Sequence, residues 1–189
     1  MLVYRVFPFL HNAAPGEIGS ATYAKNVQGE GRIDNPRRYR AWYVAREMSG
    51  AVGEVFGDRP SWSPDMFHIP KSSHPLSGAV RSLAIFRIPD STPILDLDHS
   101  YALHERGLRP TSVVERNRPA TQAWALRVFE EANHVGDPRW KGVQWWSFQR
   151  PSWRMLGLWG EVPELVTVDQ LSMKHPAVID AAEALGRII

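Results

Sequence analysis

The sequence predicts a single α+β domain with mixed or antiparallel sheets flanked by short helices. Three observations carry this. Short alternating runs bounded by Gly and Pro recur along the chain and read as strands. Stretches with apolar residues at helical spacing fall between and after them, and no internal repeat or low-complexity tract is present. At 189 residues the chain is long enough to bury one proper core.

Residues 1–9 alternate as a first strand, with Leu2, Tyr4 and Val6 on one face and Val3, Arg5 and Phe7 on the other. Arg5 thereby shares a face with two apolar residues, where a charge must find a partner or line a cleft. An edge strand whose arginine snorkels to water is the alternative. Residues 11–35, rich in Gly, Ala, Asn and Ser, read as a long loop of the kind that is often functional. It ends in the turn signal Asp34-Asn35-Pro36.

Residues 40–46 (RAWYVAR) read as a short strand with Trp42 and Val44 opposite Tyr43 and Ala45. Ser49 as N-cap and Gly57 as stop delimit a helix of about two turns. Its apolar face is Met48, Ala51, Val52, Val55 and Phe56. Glu54 falls off that face, beside Gly50 and Gly53. Read alone, it is a solvated glutamate; yet the glycines strip side chains from around the carboxylate, so another chain or a ligand could approach closely.

The Pro-rich residues 58–78 read as a second long loop with one short strand at 66–69. Residues 80–88, bounded by Gly78 and Pro89, are the clearest long strand, and 93–97 another, followed by a short helix over 99–106. A basic, polar connection covers 111–118. Pro119 then opens a helix of about four turns through Ala132, with Ala123, Trp124, Val128 and Phe129 to one side. In the strand 142–148, Val143, Trp145 and Ser147 share one face and Gln144, Trp146 and Phe148 the other. Strands follow at 154–159 and 164–168. Pro176 starts a final helix carrying Val178, Ile179, Ala182 and Leu185 at helical spacing.

Net charge is only +2, yet 18 of the 22 basic residues are arginine. Arginine suits planar, bidentate contact with phosphate or carboxylate. The bias points to phosphate-bearing small molecules or to nucleic acid, unless it reflects coding bias and ordinary surface arginines. The absence of cysteine excludes disulfides, thiolate metal sites and cysteine nucleophiles. The histidines show no i, i+4 pairing, and no GxSxG, GxGxxG or Walker A sequence occurs. Triad hydrolases, Rossmann dehydrogenases and P-loop enzymes are therefore poor fits. What remains is a cofactor-free site of arginine, tyrosine, serine and glutamate. No apolar run approaches the roughly 20 residues that cross a bilayer, and the apolar N-terminus is too short for a signal peptide and is broken by Arg5. A cytoplasmic protein without membrane association is the simplest expectation.

Four spaced motifs resemble the RES-domain family, named for an arginine, a glutamate and a serine lying far apart in the chain. Tyr4-Arg5-Val6 resembles its first strand, and Gly31-Arg32 followed by Asn35 resembles its turn. Tyr43-Val44-Ala45, then Ala51 and Glu54, has the spacing of its strand and helix. Gly142-Val143 followed by Trp146-Ser147 resembles the strand that brings its serine. The resemblance covers about 2–160, with a C-terminal strand and helix in 161–189 completing one RES-like domain over 1–189. The turn departs from the pattern: Ile33 stands in the usual tryptophan position, with one extra residue before Asn35. Trp146 stands where tyrosine is common, and Arg150 lies one residue further from the serine.

The resemblance implies an ADP-ribosyltransferase-like fold with a cleft for NAD between small sheets. It implies an NAD-consuming enzyme, a glycohydrolase or phosphorylase cleaving the nicotinamide N-glycosidic bond, or an ADP-ribosyltransferase modifying a protein. It also implies a toxin of a type II toxin–antitoxin pair, held by a helix-turn-helix antitoxin and meeting nucleic acid only through that partner. In these terms NAD is the substrate and no metal is required. Glu54 stabilises an oxocarbenium-like state or orients ribose hydroxyls. Arg5 and Arg32 grip pyrophosphate or an adjacent ribose, Tyr43 stacks on nicotinamide, and Ser147 hydrogen-bonds ribose or the arginine. Two other readings stand beside this one. One is an Arg/Trp nucleic-acid-binding module, against which the scattered arginines and low net charge weigh. The other is a non-catalytic RES-like partner-binding protein, for which the altered turn at Ile33 leaves room.

Overall fold

The computed structural model describes residues 1–25, 28–72, 74–160 and 162–188. Asn26 and Val27 of the expected 11–35 loop, Ser73 of the 58–78 loop, and the Glu161 and Ile189 ends of the C-terminal segment lie outside the described residues. Seven strands form one mixed sheet: β1 (Leu2–Phe9), β2 (Ala41–Ala45), β3 (Val80–Arg87), β4 (Ile94–Asp96), β5 (Gly142–Trp146), β6 (Arg154–Trp159) and β7 (Glu164–Gln170). Their spatial order is β4-β5-β6-β2-β1-β3-β7. Only β4 and β5 run parallel; the other pairings are antiparallel. The expected α+β class holds. β1 lies in the interior of the sheet, so the edge-strand reading of Arg5 is corrected: it has a strand on either side.

Among the described residues there are five short α-helices: α1 (Met48–Phe56), α2 (Ser100–Glu105), α3 (Pro110–Val114), α4 (Arg118–Phe129) and α5 (Pro176–Ala184). They cover one face of the sheet. Val52 and Phe56 of α1, Leu103 of α2, Val113 of α3, Trp124 and Val128 of α4 and Val178 of α5 pack there against Val6, Leu83, Val143 and Trp145. The opposite face holds a smaller core of Val3, Phe7, Trp42, Val44, Phe86 and Leu156. Alternation along β1 therefore sends Val6 to the helices and Val3, Arg5 and Phe7 to the second face, as a two-residue period requires.

Four local expectations are revised. A strand at 66–69 is absent; a 3₁₀ turn at Pro64–Phe67 takes its place, and only His68 bridges to Val80. Met66 and Phe67 are both buried, which consecutive residues of a strand facing one core cannot be. The connection over 111–118 contains α3, opened by Pro110 at its first turn. Glu47, not Ser49, occupies the N-cap of α1. Val55 and Ile179, assigned to apolar helix faces, are exposed instead.

The glycines of α1 give the largest change of reading. Gly50 and Gly53 are buried rather than open, and what approaches them is Trp153 of the loop after β5. A Cβ added at Gly53 would overlap the Trp153 ring. Helix propensity favours alanine over glycine by about 1 kcal/mol, but overpacking a filled contact costs about 1–3 kcal/mol. Gly53→Ala is expected to destabilise the protein by up to about 2 kcal/mol in urea unfolding; a variant more stable than the parent by the full helix-propensity gain would show that Trp153 is not held against this helix.

Candidate functional site

The site lies where β1 parts from β2. β1 pairs with β3 at eight positions, from Leu2 opposite Arg87 to Phe9 opposite Val80, but registers with β2 only at Tyr4 opposite Ala45. Two adjoining depressions open at this seam and share Arg5 and Tyr43 as walls. The larger, of about 440 Å³, is completed by Ala24, Gln28, Gly31 and Asp34. The smaller, of about 170 Å³, is completed by Tyr4, Ala51, Glu54 and Trp145.

Arg5 reaches this groove from the second face of the sheet. Its guanidinium stacks over the Trp42 ring, 4.5 Å from the centroid, and Nη1 donates to the Tyr23 carbonyl at 3.2 Å. Among the described residues no carboxylate forms an ion pair with it. Burial pushes its pKa down to about 10, so it stays charged at neutral pH. A desolvated guanidinium held by an aromatic face and one carbonyl retains donors for an incoming anion.

Tyr43 is locked by its hydroxyl. The hydroxyl donates to Asp34 Oδ1 at 2.6 Å and accepts from the Ile33 N–H at 3.0 Å. Burial, reinforced by Asp34, raises its pKa, and the phenol is neutral. Asp34 is 5% exposed and also accepts from the Gly29 and Gly31 N–H groups, both at 2.8 Å. One carboxylate thus closes the 29–34 turn and fixes a groove wall. Ile33 is fully buried and fills the space left by Gly157, where a Cβ would overlap its Cδ1 atom. Gln122 of α4 fastens the same turn by donating to the Gly29 and Gly31 carbonyls, at 2.8 and 2.9 Å. Asn35 returns a bond to the Gln122 carbonyl at 3.0 Å.

Glu54 sits on the glycine face of α1, toward the loop that follows β5. Ser147 Oγ donates to Glu54 Oε1 in a short hydrogen bond. Ser147 Oγ also accepts from the Gln149 N–H at 2.9 Å, and the Ser147 N–H donates to the Trp153 carbonyl at 2.8 Å. Ser147 is 1% exposed, and its one proton is committed to Glu54. Glu54 is exposed as a residue, but it lines the smaller depression and its Oε1 rests against the buried Ser147. Desolvation there pushes its pKa up, against the bond from Ser147 and the charges of Arg32 and Arg118.

Arg32 stands behind the groove. Nη1 donates to the carbonyls of Val113 at 2.6 Å and Glu115 at 2.9 Å, and Nη2 donates to Val114 at 3.2 Å. It caps the C-terminal end of α3, the favoured end for a cation. Arg150 does the same for α5 through the Ala184 carbonyl at 2.6 Å. The structure therefore brings Arg5, Tyr43 and Glu54 together on the groove, sets Ser147 beneath Glu54, and ties Arg32 to α3. Asp34 and Trp42 support the site and were not singled out from sequence. Asp34 reads there as an ordinary turn residue, and the partner of Trp42 lies on another strand.

The chain belongs to the RES-domain family: the RES domain matches it over residues 2–180. Among solved structures it is similar to a chain of the crystal structure of the M. tuberculosis MbcT–MbcA toxin–antitoxin complex. The TM-score is 0.60 at 16% identity, covering 98% of this chain and 88% of that one. At that identity the likeness establishes the fold. No curated protein matches the chain by sequence.

Because burial raises the Glu54 pKa, this carboxyl favours the fold while protonated. That contribution is lost as pH rises above the ordinary carboxylate value of 4.5 and through the folded value. Glu54→Gln is expected to melt close to the parent near pH 4 and above it near pH 8; a variant less stable than the parent near pH 8 would contradict the desolvation. Ser147→Ala strips Glu54 and the Gln149 N–H of a partner, and a loss of about 1–3 kcal/mol is expected in the same unfolding assay.

Proposed function

We propose that the protein is an NAD-consuming toxin of a toxin–antitoxin pair that cleaves the nicotinamide N-glycosidic bond as a glycohydrolase or phosphorylase. Membership of the RES-domain family supports this, and so does a fold shared with a chain from a toxin–antitoxin complex. The observation that carries it is one groove walled by an uncompensated cation, Arg5, and by a carboxylate, Glu54, held by a committed serine.

Arg5 binds the pyrophosphate by charge-assisted hydrogen bonds, and the ring of Tyr43 flanks the nicotinamide. As the bond between ribose C1′ and the ring nitrogen breaks, its electron pair leaves with nicotinamide, which departs neutral. Positive charge develops over C1′ and the ring oxygen of the ribose, and the Glu54 carboxylate stabilises it. Water or phosphate then bonds to C1′; with water, a proton passes to solvent and ADP-ribose is the product. Transfer to a protein side chain would follow the same path with a different nucleophile. Ser147 holds Glu54 by donating to it, rather than binding ribose. Arg32 contributes its charge from the end of α3. A helix-turn-helix antitoxin is the expected partner, and the cytoplasm the expected compartment.

Nicotinamide release from NAD by the purified protein is the test, run with and without phosphate and with an acceptor protein. Glu54→Gln is expected to lower kcat about 100-fold or more, and Arg5→Ala to act mainly by raising KM. Phosphate-dependent product would identify phosphorolysis, and labelled acceptor would identify transfer. No release by the intact protein, together with salt-sensitive oligonucleotide binding, would overturn the proposal.

A further inference from the structure

Ala41 opens β2 and is 3% exposed, so its backbone N–H and carbonyl need partners within the protein. Arg46, just past the other end of β2, donates its N–H to the Arg154 carbonyl beside it at 2.8 Å. Alternation along the strand then turns the backbone groups of Ala45, Tyr43 and Ala41 the opposite way, toward β1. Tyr4 meets Ala45 there. Continued at the same register, the ladder would bring Val6 to Tyr43 and Pro8 to Ala41, yet it stops after the first position. Pro8 has no N–H to donate to the Ala41 carbonyl. β1 therefore cannot complete the ladder at the end of β2.

Gln28 takes the missing place. Its Nε2 donates to the Ala41 carbonyl and its Oε1 accepts from the Ala41 N–H, both at 2.8 Å. These are the two bonds that one residue of a neighbouring strand would make, supplied by a side-chain amide. The chain just beyond is braced separately. The Gly29 N–H donates to Asp34 Oδ2, and the Gly29 carbonyl accepts from Gln122 Nε2, both at 2.8 Å. Gln28 is thus stretched between a fixed turn and the buried edge of β2. With Arg5 and Tyr43, Gln28 and Ala41 line the larger depression. Neither lines the smaller one, where Glu54 stands.

We propose that Gln28 is a positioning residue that keeps the seam between β1 and β2 open as a binding groove, closing the end of β2 in place of a strand. It fixes the wall of the larger depression opposite Arg5. It thereby governs the hold on the substrate and leaves bond breaking beside Glu54 untouched. The consequence for NAD rests on the function proposed above; the bonding of Gln28 to Ala41 does not.

Two readouts separate these levels. Hydrogen exchange of the Ala41 amide, followed by NMR, reports the clip directly. In Gln28→Met, which keeps the length of the side chain without its amide, this exchange is expected to quicken about five- to tenfold, the equivalent of one neutral hydrogen bond. The Arg46 amide, bonded on the other side of the strand, should be unchanged. In nicotinamide release, KM for NAD is expected to rise about five- to tenfold while kcat stays within about twofold of the parent. Gln28→Ala serves if the methionine variant does not fold. Unchanged Ala41 exchange in a folded variant overturns the proposal, as does faster exchange with both kinetic constants unmoved. A fall in kcat at constant KM also overturns it, being the mark of lost active protein rather than a loosened groove. An intact protein that releases no nicotinamide would refute the proposed function alone, and the Ala41 exchange would still decide whether Gln28 closes β2.

Discussion

Contact between the Trp153 ring and the bare face of α1 sets the geometry on which the site depends. Gly50 and Gly53 present no side chains there, so the helix settles onto the indole at a separation no larger residue permits. The loop from Ser147 to Trp153 closes on itself through the Ser147 N–H and the Trp153 carbonyl. Seating the tryptophan therefore also delivers the serine, and Ser147 meets Glu54 at the edge of the same contact. Packing and polar positioning are here one event: loosening the first would move the second.

Arginine chemistry in this molecule divides by what each guanidinium meets. Arg32, Arg150 and Arg187 donate to carbonyls at or just past the C-terminal ends of α3, α5 and α1, where unsatisfied acceptors and the helix dipole favour a cation. These residues account for part of the arginine bias without any ligand. Arg5 differs. It is held by an indole face and a single carbonyl, and among the described residues no acid pairs with it.

Strand periodicity placed Arg5 on the face of Val3 and Phe7, and the structure agrees. It could not show that β1 is central, because neighbours in a sheet are chosen by long-range pairing. The helix carrying Glu54 and its stop at Gly57 were legible from local spacing. The burial of its glycines was not, since Trp153 lies about a hundred residues further along. Asp34 illustrates the same limit: its turn was legible, but its bond to Tyr43 joins two elements. α3 was missed because the feature that completes it is a guanidinium more than eighty residues earlier in the chain.

By itself the sequence determined what local chemistry can encode. It specified the alternation of the strands, the helix bearing a single carboxylate, and the spaced arginine, glutamate and serine that mark the family. Only the tertiary structure decided that β1 and β2 part after one paired position, that the serine's proton goes to the glutamate, and that Arg32 is bound to a helix end while Arg5 walls the groove. Those outcomes depend on which distant groups compete for each donor. That competition is settled by packing across the whole sheet, which no stretch of the chain contains.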